Sequence, residues 1–230
     1  MKKLLIIAGI LIVAFFVLMY FTQDMGYGTY SEGYRMGKLN KFSSTGLIFK
    51  SCEGDLLLGK ESSYYFDMKD SVLINPWQFS LSTKSALVSN ISQYANKYVV
   101  IKYRQYRIGP LNWENEYEPL EISPLDTSIA ILPYQEQGID GLKSEGFRIG
   151  RVVKLSKRGT ITKSYEVMFQ LSNIGNDFMS MSVTDENIYR SLMTSLLSGK
   201  QIMIHYKKQF MHNPFGQDTD YVVWKVEKIV

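Results

Sequence analysis

The sequence predicts a mainly β protein with short helices: an N-terminal transmembrane helix followed by two tandem small β-barrels, each of order β-β-β-α-β-β. Three observations carry that prediction. An uncharged apolar run opens the chain. A 23-residue stretch recurs further along it without gaps. In each copy, short segments of alternating polarity are interrupted once by a segment of helical period.

The apolar run is Leu4 to Phe21, LLIIAGILIVAFFVLMYF, 18 residues without a charge. At 1.5 Å per residue it would extend about 27 Å, close to the hydrocarbon thickness of a bilayer. It is longer than the apolar part of a signal peptide, and no small-x-small cleavage site ends it. An uncleaved anchor is therefore expected in preference to a cleaved signal. Lys2 and Lys3 precede the run and Asp24 is the first charge after it, which places the N-terminus in the cytoplasm. The expected location is the bacterial inner membrane, crossed once, with the C-terminal domains periplasmic or otherwise extracytoplasmic.

The recurring stretch is Ser31 to Glu53, SEGYRMGKLNKFSSTGLIFKSCE, matched by Ser144 to Glu166, SEGFRIGRVVKLSKRGTITKSYE. The offset is 113 throughout, and 12 of the 23 paired residues are identical. A self-match of this density implies a duplicated domain. The expected division is an anchor over 1–23, a linker over 24–29, a first repeat over 30–122, a linker over 123–143 and a second repeat over 144–230.

In the first repeat, Glu32 to Phe42 reads as a strand. Its apolar phase slips between Met36 and Leu39, with Gly37 at the slip, which suggests a bulge or bend. Ser43 to Gly46 is turn chemistry. Leu47 to Leu58 and Trp77 to Leu81 read as the second and third strands, separated by a polar insert that contains Tyr64, Tyr65 and Phe66. Leu87, Ile91 and Tyr94 then fall at helical spacing within Ser82 to Lys97. Tyr98 to Arg107 and Tyr117 to Ile122 complete the copy, and Pro119 suggests an edge position for the last strand.

The second repeat follows the same order. It has a hairpin over Arg148 to Leu155 and Thr160 to Leu171, and a third strand over Phe178 to Val183. A helix over Asp185 to Leu197 has Thr184 as its expected N-cap and Gly199 near its end. Gln201 to Phe210 and Tyr221 to Glu227 are its last two strands. Within the linker, a short strand is expected over Ser128 to Leu132. A helix between strands three and four is the order of an OB-fold; an SH3-like barrel would not explain a helix of that length there.

Composition excludes some functions. Formal net charge is +4, and Lys2 and Lys3 supply two of those charges. A balance this weak is not a nucleic-acid footprint, so no nucleic-acid partner is expected. Cys52 is the sole cysteine, which rules out an intrachain disulfide. With two histidines, His205 and His212, neither a metal site nor a cofactor is expected. No G-x-S-x-G, H-E-x-x-H or P-loop is present.

Two sets of residues remain as candidates. The charged residues shared by the copies include Glu32 and Arg35, with Glu145 and Arg148 as their counterparts. They fit either a polar groove or cross-strand pairs. The loops between strands four and five carry Trp113 and Phe215, which could contact a partner or plug a barrel end. No catalytic residue is assigned.

The run from Tyr30 to Gly54, of pattern Y-S-E-G-x-R-x-G-x-L-x-K-F-S-x-x-G-x-x-x-K-x-x-E-G, resembles a group of small bacterial membrane-anchored proteins of unknown function. The resemblance implies an anchor and one copy of the motif, and no catalytic residues. The expected function is a single-pass cell-envelope protein whose duplicated OB-like domains act as a non-catalytic binding or scaffold module. Its expected partners are the membrane and an envelope protein or polymer. The alternative is an envelope hydrolase with a polar site between the domains.

Overall fold

The computed structural model describes residues 2–22, 25–46, 49–59, 76–136, 142–158, 164–171, 177–209 and 219–229. The polar insert with Tyr64, Tyr65 and Phe66 lies outside them, as do His212 and Phe215.

The apolar run forms helix α1 (Lys2–Thr22). Its side chains are described at residues 7–15, 17 and 18, where Ile7, Ile10, Leu11 and Phe15 are exposed. A span needs roughly 20 apolar residues in succession. Among the described residues no helix is long and apolar enough to cross a membrane. The expected single-pass anchor is corrected on that finding. The membrane partner, the inner-membrane location with extracytoplasmic domains, and the likeness to membrane-anchored proteins are corrected with it.

The first copy runs β1 (Tyr27–Thr45), β2 (Ser51–Leu58), β3 (Trp77–Ser82), β4 (Tyr98–Ile108) and β5 (Tyr117–Pro124). A short β6 (Tyr134–Gln135) follows, where a strand over Ser128 to Leu132 was expected. The second copy runs β7 (Leu142–Arg158), β8 (Ser164–Gln170), β9 (Phe178–Val183), α2 (Glu186–Ser198), β10 (Ile202–Gln209) and β11 (Tyr221–Lys228).

In both copies the long first strand serves two neighbours. Residues 27–38 of β1 pair with β4, and residues 37–45 pair with β2. β7 divides in the same way between β10 and β8. Gly37 and Gly150 sit at the two changeovers. A Cβ on Gly37 would lie 2.8 Å from the carbonyl carbon of Leu57, and one on Gly150 would lie 3.0 Å from that of Gln170. These glycines therefore permit a close approach of backbones. The bulges themselves fall downstream, between Leu39 and Lys41 and between Val152 and Lys154.

The expected pair of separate OB-like barrels is also corrected. The eleven strands form one continuous hydrogen-bonded sheet. In the second copy, β9 and β11 pair in parallel at Val222↔Ser182 and Val223↔Val183, which closes a ring of β7, β8, β9, β11 and β10. In the first copy, among the described residues, no ladder joins β3 to β5. Side chains meet there instead, with the Trp77 and Tyr117 rings 5.5 Å apart and edge to face. The two copies are joined by antiparallel pairing of β1 with β7, from Ser31↔Arg158 to Arg35↔Lys154.

The helical segments differ. In the second copy α2 forms, capped by Asp185 in place of the expected Thr184. The Asp185 carboxylate accepts from the amides of Asn187 (2.6 Å) and Ile188 (3.2 Å). Gly199 ends it at φ 64°. The first copy has turns and a 3-10 helix over Ile91–Tyr94. Its apolar spacing is helical, but serines compete with the helix for backbone groups. Ser82 Oγ accepts from the amide of Lys84, Ser85 Oγ accepts from that of Leu87, and Ser89 donates to Ala86 O.

Two apolar clusters result. One gathers Leu39, Leu56, Phe79, Ile91, Ile101 and Tyr103 from the first copy. The other is built on Val152, Leu155, Phe169, Leu192 and Ile204 of the second copy, and it also contains Met36 and Val100 of the first.

Candidate functional site

Alternation along β1 places Glu32 and Arg35 on opposite faces, because they are an odd number of positions, three, apart. Glu32 points outward, where Arg104 Nε on β4 donates to it at 3.0 Å. Arg35 points inward and is 7% exposed. Its guanidinium carbon stands 4.7 Å from the Trp77 ring centre and 5.1 Å from those of Tyr103 and Tyr117. An aromatic cage of this kind holds a buried cation by attraction to the ring faces. These two residues therefore do not share a groove.

The repeated glutamates are also internal. Glu53 is 5% exposed and faces Ser80 across the β2–β3 ladder. Ser51 donates to it at 2.6 Å, and Ser80 donates to its other oxygen. The amide of Glu114 reaches Glu53 at 3.4 Å, and the amide of Asn115 donates to Ser80 Oγ at 2.9 Å. In the second copy, Ser182 donates to Glu166 at 3.2 Å and accepts from the amide of Thr219 at 3.0 Å. Each pair thus ties the connection between its copy's last two strands onto the barrel wall. A cavity of about 200 Å³ opens beside Glu166, lined in part by Lys154, Arg158, Ser180 and Thr219.

This geometry corrects the hydrolase alternative. The buried repeated carboxylates, Glu53 and Glu166, are held by serines in separate copies, and among the described residues no three His, Cys, Asp or Glu side chains gather as metal ligands. Cys52 is buried, and that burial pushes its thiol pKa up. Trp113 is half-buried against Tyr106, with ring centres 6.2 Å apart.

Glu145 and Arg148 lie elsewhere, on the first half of β7. Both are exposed. Arg148 stands over the Tyr206 ring at 5.6 Å. Over residues 144–148 this half of β7 pairs with β10, and among the described residues no strand takes its other edge. Phe147, 55% exposed, and Ile149, 43% exposed, project from it. Behind them, the Phe147 and His205 ring centres are 6.1 Å apart, and those of His205 and Trp224 are 5.7 Å apart. Lys207 Nζ stands 4.6 Å from the Trp224 ring, and His205 Nε2 lies 2.9 Å from Glu227. Lys225, 2.5 Å from Glu227, and His205 hold the Glu227 carboxyl below its ordinary pKa.

Sequence reasoning missed this apolar and aromatic face. The signal was present in the alternation. Tyr34 and Met36 match Phe147 and Ile149, and in both copies they fall on the face opposite the copy's own inward residues. In the first copy Met36 is fully buried, because the second copy covers that face.

No curated protein matches the chain. A single-stranded DNA binding protein from Thermus aquaticus aligns with 88% of this chain and 94% of its own, at 12% identity and a TM-score of 0.24. So low a TM-score carries no argument about fold or function. A family model described as a domain of unknown function (DUF8785) matches residues 28–129 and 141–229, and the chain belongs to that family.

Proposed function

We propose that this protein is a β-edge docking protein, which accepts an extended segment of a partner along residues 144–148 of β7. One observation supports this reading above the others: Phe147 and Ile149 stand exposed on a strand with one edge unpaired among the described residues, while of their counterparts Tyr34 is partly buried and Met36 fully buried against the second copy. A free edge offers a row of backbone donors and acceptors, which is how β-augmentation recruits a peptide. Phe147 and the nearby Trp224 and Arg148 are of the kinds enriched where proteins meet.

The test is photo-crosslinking. A benzophenone amino acid in place of Phe147 is expected to give a defined adduct when the full chain is made in its native cells. The same substitution at exposed Gln93 is the control. Adducts no more frequent at 147 than at 93 would contradict the proposal.

A further inference from the structure

The partner follows from how the chain pairs with itself. We infer that copies of this chain associate head to tail, the free edge of β7 in one molecule pairing antiparallel with residues 41–45 of β1 in the next. This rests on the edge-docking reading above and names its partner.

The seam between the two copies is heterologous. Residues 31–35 of β1 meet residues 154–158 of β7. The repeat offset of 113 maps 31–35 onto 144–148, and it maps 154–158 onto 41–45. A two-fold seam would bring equivalent segments together. This one uses the first half of one long strand and the second half of the other, so the complementary halves remain. Residues 144–148 pair with β10 on one edge, and residues 41–45 pair with β2 on one edge. Among the described residues, nothing pairs with the second edge of either. A molecule with one unused surface of each kind is complementary to its own copies, and such contacts propagate into open chains or close into rings.

The residues at the two ends match those inside the seam. Ser31, Glu32, Gly33 and Arg35 recur as Ser144, Glu145, Gly146 and Arg148, while Lys154 and Ser156 correspond to Lys41 and Ser43. Leu155, fully buried in the seam, corresponds to Phe42, which is half-buried.

The glycines mark where a strand must fit. A Cβ on Gly33 would lie 2.7 Å from Ser156 Cα, backbone that cannot yield. On Gly146 the three nearest atoms all belong to the Tyr206 side chain, the closest being its hydroxyl at 2.9 Å. At the second position, among the described residues, no backbone of a facing strand is among the nearest atoms, as that of Leu155 and Ser156 is at Gly33. The register carried over is Ser144↔Thr45, Gly146↔Ser43, Phe147↔Phe42 and Arg148↔Lys41.

Cross-linking of the full chain tests this, in mild detergent because α1 exposes apolar side chains. In a Cys52→Ala background, one preparation carries Phe147→Cys and another Phe42→Cys. Residues directly opposite on antiparallel strands lie close enough for a disulfide or a short linker. Oxidation of the mixture is expected to give a disulfide-linked 42–147 dimer, while each preparation alone forms no covalent dimer. A chain bearing both cysteines is expected to give a ladder beyond the dimer. Gly146→Val should stay folded and abolish both products. Homotypic 147–147 dimers, or monomers throughout, would overturn the inference. If the residue-147 adduct described above forms with a different protein, edge docking stands and self-association fails.

Discussion

Glu53 on β2 accepts a hydrogen bond from Ser80, the residue directly opposite it on β3. Through Asn115 and Glu114 the pair also holds the β4–β5 connection. Removing a buried acceptor leaves several donors without partners, at about 1–3 kcal/mol for each buried group. Glu53→Ala is expected to cost about 2–4 kcal/mol of folding stability, measured by denaturant titration. The amide of Asn115 should also exchange faster. A change within experimental error would show that the clasp carries no stability.

Arg35 makes a second stability prediction. Its planar guanidinium lies among three rings, a geometry that a lysine ammonium does not reproduce. Arg35→Lys is expected to lower stability by about 1–2 kcal/mol and to shift the tryptophan emission through Trp77. A lysine variant as stable as the parent would contradict the cage.

The cap of α2 is a local case. Asp185→Ala removes the acceptor for two backbone amides and should cost about 1 kcal/mol. Asp185→Asn should recover most of that loss, and thermal melts of the three proteins would rank them.

Glu136 gives a pH dependence. Partial burial, then the nearby Asp185 carboxylate, push the Glu136 carboxyl above its ordinary pKa. A carboxyl whose folded pKa exceeds its unfolded value favours folding while protonated. That contribution is present below the unfolded value and is lost as pH rises through the folded value. Glu136→Gln cannot ionise, so its stability relative to the parent should climb across that window and level off above it. Melting temperatures of both proteins over the acid range would show this, and a constant difference would contradict it.

Parts of this architecture could be read before the fold was known. The repeat follows from direct self-comparison of the sequence, and the alternating strands and α2 follow from local periodicity, which is a property of neighbouring residues. The seam does not follow from it, because Ser31↔Arg158 joins residues far apart in the chain and depends on which strand edges stay free. The burial of Arg35 and Glu53 is not legible in the sequence, for a related reason. Charged residues on strands read as surface, and here aromatic rings and serine hydroxyls make their burial tolerable. The helix expected in the first copy gives way to turns and a 3-10 helix: its apolar spacing is helical, while its serines turn the backbone into local hydrogen bonds.

Residues 144–148, as proposed above, offer a docking edge to a second strand. Hydrogen exchange of their outward amides, followed in the full chain as its concentration rises, tests this most directly. Exchange over 144–148 and over 41–45 is expected to slow together with concentration, and Gly146→Val should remove the effect at both. Exchange that stays the same at every concentration in the parent chain would contradict the account.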